Sequence, residues 1–219
     1  MNAAKAALNS QVRRHLTIGI TGGIGSGKSV LCSLFTGLGR ITINADEAAK
    51  RIADEDVMAR TAIVREFGRE AYLPNGKLDR KRIASIVFND EMKMMILNSI
   101  VHPLVLKEIE YQLDVISPLQ APPYVLVEAA LIFESGMEHS LDHVVVVAAD
   151  EETCVQRVMV RDKISREEVR KRIASQMPQS KKEKLADFVV HNNSSVPDLH
   201  SSVKFLDSIF QQLQLARVT

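Results

Sequence analysis

Eight consecutive residues, Gly22-Gly23-Ile24-Gly25-Ser26-Gly27-Lys28-Ser29, have the spacing G-x-x-x-x-G-K-[ST]. Bare backbone lets successive N–H groups curl around phosphate oxygens, and positive φ angles cost glycine nothing. Leu16 to Ile20 reads as a strand and Val30 to Phe35 as the start of a helix, so the loop sits where a helix N-terminus adds partial positive charge. Lys28 can then reach β- and γ-phosphates, and the Ser29 hydroxyl can ligate Mg²⁺. The dinucleotide fingerprint G-x-G-x-x-G fails, because Lys28 stands three places after Gly25. The pattern predicts a nucleoside triphosphate site.

Phosphoryl transfer also needs groups that orient the acceptor and neutralise charge. Asp46 follows the apolar run "RITIN", at the strand end where ligands bind in α/β sheets. There it can accept a hydroxyl proton or hold Mg²⁺; equally, it can be the N-cap of the helix "EAAKRI". Glu128 closes another strand and could orient metal-bound water, since a buried unpaired carboxylate is otherwise costly. Arg157 and Arg161 lie one helical turn apart, where two guanidinium groups could clamp a triphosphate.

These residues need a scaffold. "RITINAD" (Arg40–Asp46), "YVLVEAALIF" (Tyr124–Phe133), "HVVVVAA" (His143–Ala149) and "DFVVH" (Asp187–His191) read as buried strands with helical patterns between them. Near-continuous apolar strands belong to a parallel sheet covered on both faces, so the fold class is α/β. Residues 46–117 are helical without a convincing strand, and such a long excursion suits an acceptor-holding lobe. Within it Pro74-Asn75-Gly76 marks a turn, Asp79 and Asp90 can cap helices, and Pro103 should kink or divide the second of these. Residues 157–184 form a basic excursion; from 161 to 184 it carries nine Lys or Arg against four Asp or Glu. It reads as a closing lid, with exposed i,i+4 pairs such as Glu167–Lys171 and Glu168–Arg172.

Composition limits the partners. The 219 residues carry a net charge of +1, so no overall field favours nucleic acid or an anionic membrane. No apolar run approaches the ~20 residues of a membrane span. Two distant cysteines, Cys32 and Cys154, suit a reducing, cytoplasmic compartment. The first fifteen residues have no hydrophobic h-region and read as an extension rather than a secretory signal. Oligomeric state has no signature in the residues.

In order, the segments "GITGGIGSGKS", "NAD", "LDRKRIASIVF", "LNSIVHPLV", "EAALIFESG", "RVMVRD", "RIASQM" and "ADFVVHNNSS" resemble the dephospho-CoA kinase family, from Leu16 to about Leu213. The resemblance implies a P-loop NTPase-type three-layer fold: core 16–45, 118–156 and 185–219, acceptor lobe 46–117, lid 157–184. It implies ATP-dependent phosphorylation of the ribose 3′-hydroxyl of dephospho-CoA, with Mg²⁺ arriving on ATP. Residue by residue, Gly23, Ile24, Gly25, Ser26, Gly27, Lys28, Ser29 and Val30 would bind ATP phosphates. Asp46 would serve the hydroxyl, Arg157 and Arg161 would be lid arginines, and Arg80 and His102 would belong to the acceptor region. The family usually reads Asp-Ala-Asp where this chain has Asn44-Ala45-Asp46, and proline where it has Ala130.

Two other readings stay open on the residues alone. A nucleoside monophosphate kinase would share the loop and differ in acceptor. A nucleotide switch would need an Asn-Lys-x-Asp signature, which is missing. His139 and His143 have the i,i+4 spacing of a zinc pair but run into a strand and lack the glutamate of HExxH. Cys32 is expected in the core; Met92, Met94 and Met95 are expected to pack, or as flexible side chains to line an acceptor groove.

Overall fold

The computed structural model describes residues 15–87, 90–116, 122–193 and 196–218. Residues 1–14 of the expected extension, and Ser117 at the expected lobe boundary, lie outside them. Chain contacts divide the molecule into two compact units, one of residues 1–43 and 116–219, the other of residues 44–115.

The first unit is built on a sheet of β1 (Leu16–Thr21), β2 (Ile41–Asn44), β3 (Tyr124–Glu128), β4 (His143–Ala148) and β5 (Phe188–His191), in the order β2-β3-β1-β4-β5. β1 pairs in parallel with β3 and β4, and β4 with β5; Ile20 lies opposite Glu128, and Thr21 opposite Val146. Every residue of β1 and β3 is buried, as expected for strands covered on both faces. Alternate residues Leu16, Ile18, Ile20, Tyr124, Leu126, Val145 and Val147 face α1 (Lys28–Gly37) and α10 (Val196–Val218), packing with Leu31, Phe35, Val203, Leu206 and Phe210. On the opposite face Gly19 makes room for a close approach. A Cβ there would stand 2.6 Å from Leu141 and 2.9 Å from Ile132.

The strand expected over Tyr124–Phe133 ends at Glu128. The chain then turns into the short helix α6 (Ile132–Ser135) and a 3-10 turn, Met137–Ser140. β4 and β5 are each one residue shorter than their apolar runs, β2 is three shorter because a helix begins at Ala45, and β1 runs one residue past Ile20. After β4 come α7 (Glu151–Asp162), α8 (Arg166–Ala174) and α9 (Gln179–Leu185). Arg157 and Arg161 therefore lie in the second half of a helix that begins six residues before Arg157. Val155 and Val158 of α7 bury against Val169 of α8, with Ile24 packed on them. Lys171 pairs with Glu167 at 2.9 Å as expected, but Arg172 turns to Asp162 at 3.0 Å. Glu168 is instead held by Ser165 in a capping box.

The second unit contains α2 (Ala45–Glu55), α3 (Val57–Phe67), α4 (Arg80–Val87) and α5 (Glu91–Asp114). Ala53, Ile63, Phe67, Ala71, Leu78 and Ile83 form its core. Pro74-Asn75-Gly76 does turn the chain, closed by an isolated bridge between Tyr72 and Leu78. Arg60 lies 4.3 Å over the Tyr72 ring and donates to the carbonyls of Asp54 and Gly76. Asp79 and Asp90 accept from the amides of Arg82 and Lys93, as helix caps do. α5 continues through Pro103 as one helix rather than dividing there. The packing expected of Met92, Met94 and Met95 is not found: they are 65%, 40% and 65% exposed in the first turns of α5.

Candidate active site

The glycine loop joins β1 to α1, and its shape requires glycine at three places, Gly22 (φ 149°), Gly25 and Gly27. Gly25 (φ 80°) and Gly27 (φ 99°) are left-handed, and a Cβ would meet Cys154 O at 2.6 Å and Asn192 Nδ2 at 2.2 Å respectively. The buried Asn192 amide donates to Ser26 O at 2.8 Å, pinning the loop from the end of β5. Helix geometry leaves the amides of Lys28, Ser29 and Val30 without intrahelical acceptors. Ser26 Oγ is buried and has no hydrogen-bond partner among the described residues. Donors of this kind fit an anionic oxygen.

Side chains add to that ring. Lys28 Nζ donates to Gly22 O at 2.9 Å and Gly23 O at 3.3 Å, so the ammonium is folded over the loop. Ser29 Oγ donates to Glu128 Oε1 at 2.7 Å, and Glu128 is buried. This hydroxyl–carboxylate pair offers the hard oxygen donors that Mg²⁺ takes. Among the described residues no group of three His, Cys, Asp or Glu could hold a metal, so the remaining ligands would be phosphate oxygens and water. Cys32 lies in the core as expected; burial, then the Glu128 charge, pushes its thiol pKa far up. Arg157 donates to Asn192 O at 3.0 Å and to Gly25 O at 3.5 Å, beside the loop. Arg161 differs. It is 62% exposed and grips Asp162 at 2.7 and 3.1 Å.

Sequence reasoning missed the contacts at the loop's leading edge. Ile24 N donates to Gln176 Oε1 at 2.9 Å, and Gly23 N to Gln179 Oε1 at 3.4 Å. Glu134 Oε1 accepts from Met177 N at 3.0 Å and pairs with Lys182 Nζ at 2.8 Å. Lys182 is fully buried and also donates to Ala130 O at 3.1 Å. The signal available was a lysine and two glutamines flanking Met177-Pro178 in the basic excursion, which charge counting absorbed.

The remaining expected residues belong to the second unit. Asn44, not Asp46, is the N-cap of α2; its side chain accepts from Glu47 N at 2.9 Å. The capping alternative for Asp46 is thereby removed, and Asp46 stands half-buried in the first helical turn, two residues past β2. Arg80 bonds to Asp54 Oδ1 and Lys50 O, each at 3.0 Å. Burial pushes the Asp54 pKa up, but Arg80 and the Leu78 amide more than reverse it. His102 is half-buried on α5, and burial lowers its pKa. His143 opens β4 and packs edge-on against Phe188, while His139 lies in the preceding 3-10 turn.

Known proteins match this arrangement. The family model described as Dephospho-CoA kinase matches residues 16–198. A dephospho-CoA kinase domain-containing protein of Danio rerio is 38% identical over 192 residues, covering 87% of this chain and 83% of its own. The crystal structure of a Thermus thermophilus protein superimposes with TM-score 0.76 at 35% identity, covering 88% and 96% of the two chains. Dephospho-CoA kinase from Campylobacter jejuni gives TM-score 0.64 at 30% identity, covering 90% and 97%. Among the described residues no helix is long and apolar enough to cross a membrane. With a phosphate-shaped loop, its lysine and serine in place, and the family model spanning both units, the chain belongs to the dephospho-CoA kinase family.

Proposed function

We propose that the protein transfers the terminal phosphoryl group of ATP to the ribose 3′-hydroxyl of dephospho-CoA, giving coenzyme A and ADP. One observation carries the nucleotide half of this reading: the loop of residues 22–29 presents helix-initial amides, Lys28 and the Ser29–Glu128 pair at one end of β1. The acceptor half rests on family membership across residues 16–198.

In this mechanism residues 23–30 surround the phosphates, and Lys28 exchanges two neutral carbonyl partners for phosphate oxygens, which bind an ammonium more strongly. Arg157, already beside the loop, adds positive charge where it develops during transfer. Arg161 joins it by leaving Asp162, a surface pair of small net worth. Mg²⁺ entering with ATP would be held through Ser29 with Glu128 behind it, and supplies charge neutralisation along the phosphates. Asp46 orients the ribose hydroxyl and takes its proton as the new P–O bond forms. His102, kept neutral by burial, can donate or accept toward the acceptor, while Arg80 shapes that surface through Asp54 and Lys50. Residues 46–117 then act as the acceptor lobe and 157–184 as the lid. Both cysteines are free and buried, which supports a cytoplasmic setting. The net charge of +1 gives no general attraction to nucleic acid.

The test is ADP release measured with dephospho-CoA, with AMP, and without acceptor. Rapid release with dephospho-CoA alone is expected; equal rates with AMP would replace the acceptor assignment.

A further inference from the structure

We propose that Gln176 and Gln179 are positioning residues for phosphoryl transfer: their side-chain oxygens fix the leading amides of the glycine loop, and the buried Lys182–Glu134 pair holds the segment that carries them. The proposal rests on the nucleotide-binding reading above.

Two groups of the loop's amides differ in their surroundings. Those of Gly23 and Ile24 donate to Gln179 Oε1 and Gln176 Oε1. Those that open α1, from Lys28 to Val30, face no intrahelical acceptor and are the set a phosphate would use. The glutamines therefore hold the entry of the loop, away from its helix-initial amides. They brace it rather than compete for it. Gln179 is itself oriented, because its Nε2 donates to Glu183 Oε1 at 3.1 Å and this turns the oxygen toward Gly23. A Cβ on Gly23 would lie 3.5 Å from Gln179 Oε1 and 3.9 Å from Gln176 Oε1, so both oxygens converge on one point of the loop.

The support behind them is built for rigidity. Gln176 and Gln179 flank Met177-Pro178, and Glu134 Oε1 fixes the middle of that connection through Met177 N. The same oxygen pairs with Lys182, whose second bond is to Ala130 O, and Thr21 Oγ1 donates to that carbonyl too. Thr21 is the last residue of β1, directly before the loop. A lysine with no exposed surface persists only with such partners, since a buried unpaired charge is costly. The path thus runs from the end of β1, through Ala130, Lys182 and Glu134, to the glutamines and back to the loop. The conformational freedom removed from the loop is freedom that ATP would otherwise have to remove on binding.

The double variant Gln176→Met, Gln179→Met keeps side-chain length and removes both acceptors. Binding of a non-hydrolysable ATP analogue, by calorimetry, should weaken roughly tenfold, the worth of two modest hydrogen bonds. KM for dephospho-CoA should not move, and amide exchange at residues 22–25 should speed up. Lys182→Met should give the same split between ATP affinity and acceptor KM. Analogue affinity unchanged or tighter in the double variant would overturn the proposal; a tighter complex would make the glutamines competitors. An unmodified enzyme that binds the analogue but leaves dephospho-CoA unphosphorylated would sink the functional reading and leave this comparison standing.

Discussion

Lys28 shares its ammonium between two main-chain oxygens of its own loop, at 2.9 and 3.3 Å, and under the proposed function phosphate oxygens replace them. Lys28→Ala should therefore cut turnover by roughly 10²–10³-fold, the usual cost of losing one donor to transition-state charge. Circular dichroism and melting should stay near those of the unmodified protein; a near-normal rate would remove the phosphate assignment. Asp46 calls for a different signature. As the group serving the hydroxyl, Asp46→Asn should lower kcat by about 10²–10⁴-fold while ATP affinity holds. A parallel loss of ATP binding would make Asp46 a structural or metal-holding residue instead. The loop was legible in the sequence because its function depends on eight consecutive residues whose conformations follow from their types. Gln176 and Gln179 were not, since their partners stand about 150 positions away and a glutamine amide has no residue-level bias toward one backbone donor.

At the scale of elements, α2 shows how a departure from the family pattern is absorbed. The family's usual Asp and this chain's Asn44 are both good N-caps, and Asn44 holds the amide of Glu47 at 2.9 Å. The first turn that carries Asp46 is thus capped in either version. Asn44→Ala should cost about 1 kcal/mol in urea denaturation, and fraying of that turn should lower kcat, whereas Asn44→Asp should restore both. Loss of kcat in the aspartate variant equal to that in the alanine variant would show that the cap is not what matters at position 44. Ala130 for proline is equally tolerable, because its carbonyl, which proline also has, receives the Lys182 and Thr21 donors. Strands β1, β3 and β4 were legible from their continuous apolar runs. The end of β3 was not: "AALIF" is as apolar as a strand, and it turns into α6 with Ile132 and Phe133 buried. Hydrophobicity alone does not distinguish those two ways of burying side chains. The packing expected of the α5 methionines failed for a related reason: an apolar residue type indicates burial, whereas these three side chains are exposed.

For the whole molecule, stability against pH depends on three carboxylates that tie distant parts of the chain together. Asp207 on α10 accepts from Arg40, at 2.6 and 3.1 Å, and from the Tyr124 hydroxyl. Asp142 accepts from the Thr17 amide and hydroxyl and pairs with Arg217 at 2.8 Å; Asp54 receives Leu78 N and Arg80. Burial pushes each pKa up, yet these donors more than offset it and leave all three below the ordinary carboxylate value. A carboxyl that binds its proton less readily folded than unfolded stabilises the fold above the unfolded pKa, near ~4. That contribution is lost as pH falls through the depressed folded values. Tyr124 works in the opposite sense. Burial first, and its bond to Asp207 second, push its pKa far up, so its contribution is intact below about pH 10 and fades only as pH rises through the folded value. The surface pair Glu152–Arg166, with Glu152 pushed down to about 2, is exposed and screened and adds little. Urea unfolding should therefore show stability level between about pH 8 and 7, easing below about pH 6.5 where unfolded His102 takes a proton that its buried form resists, and falling further below about pH 4. Asp207→Asn should lose about 1.5–3 kcal/mol at pH 7, and the gap to the unmodified protein should narrow as the pH drops below about 4, where the unfolded carboxyl takes up a proton that folded Asp207 resists. A gap that stayed constant from pH 7 to 3 would mean that the charge on Asp207 contributes nothing, and that shape alone holds α10 to Arg40 and Tyr124.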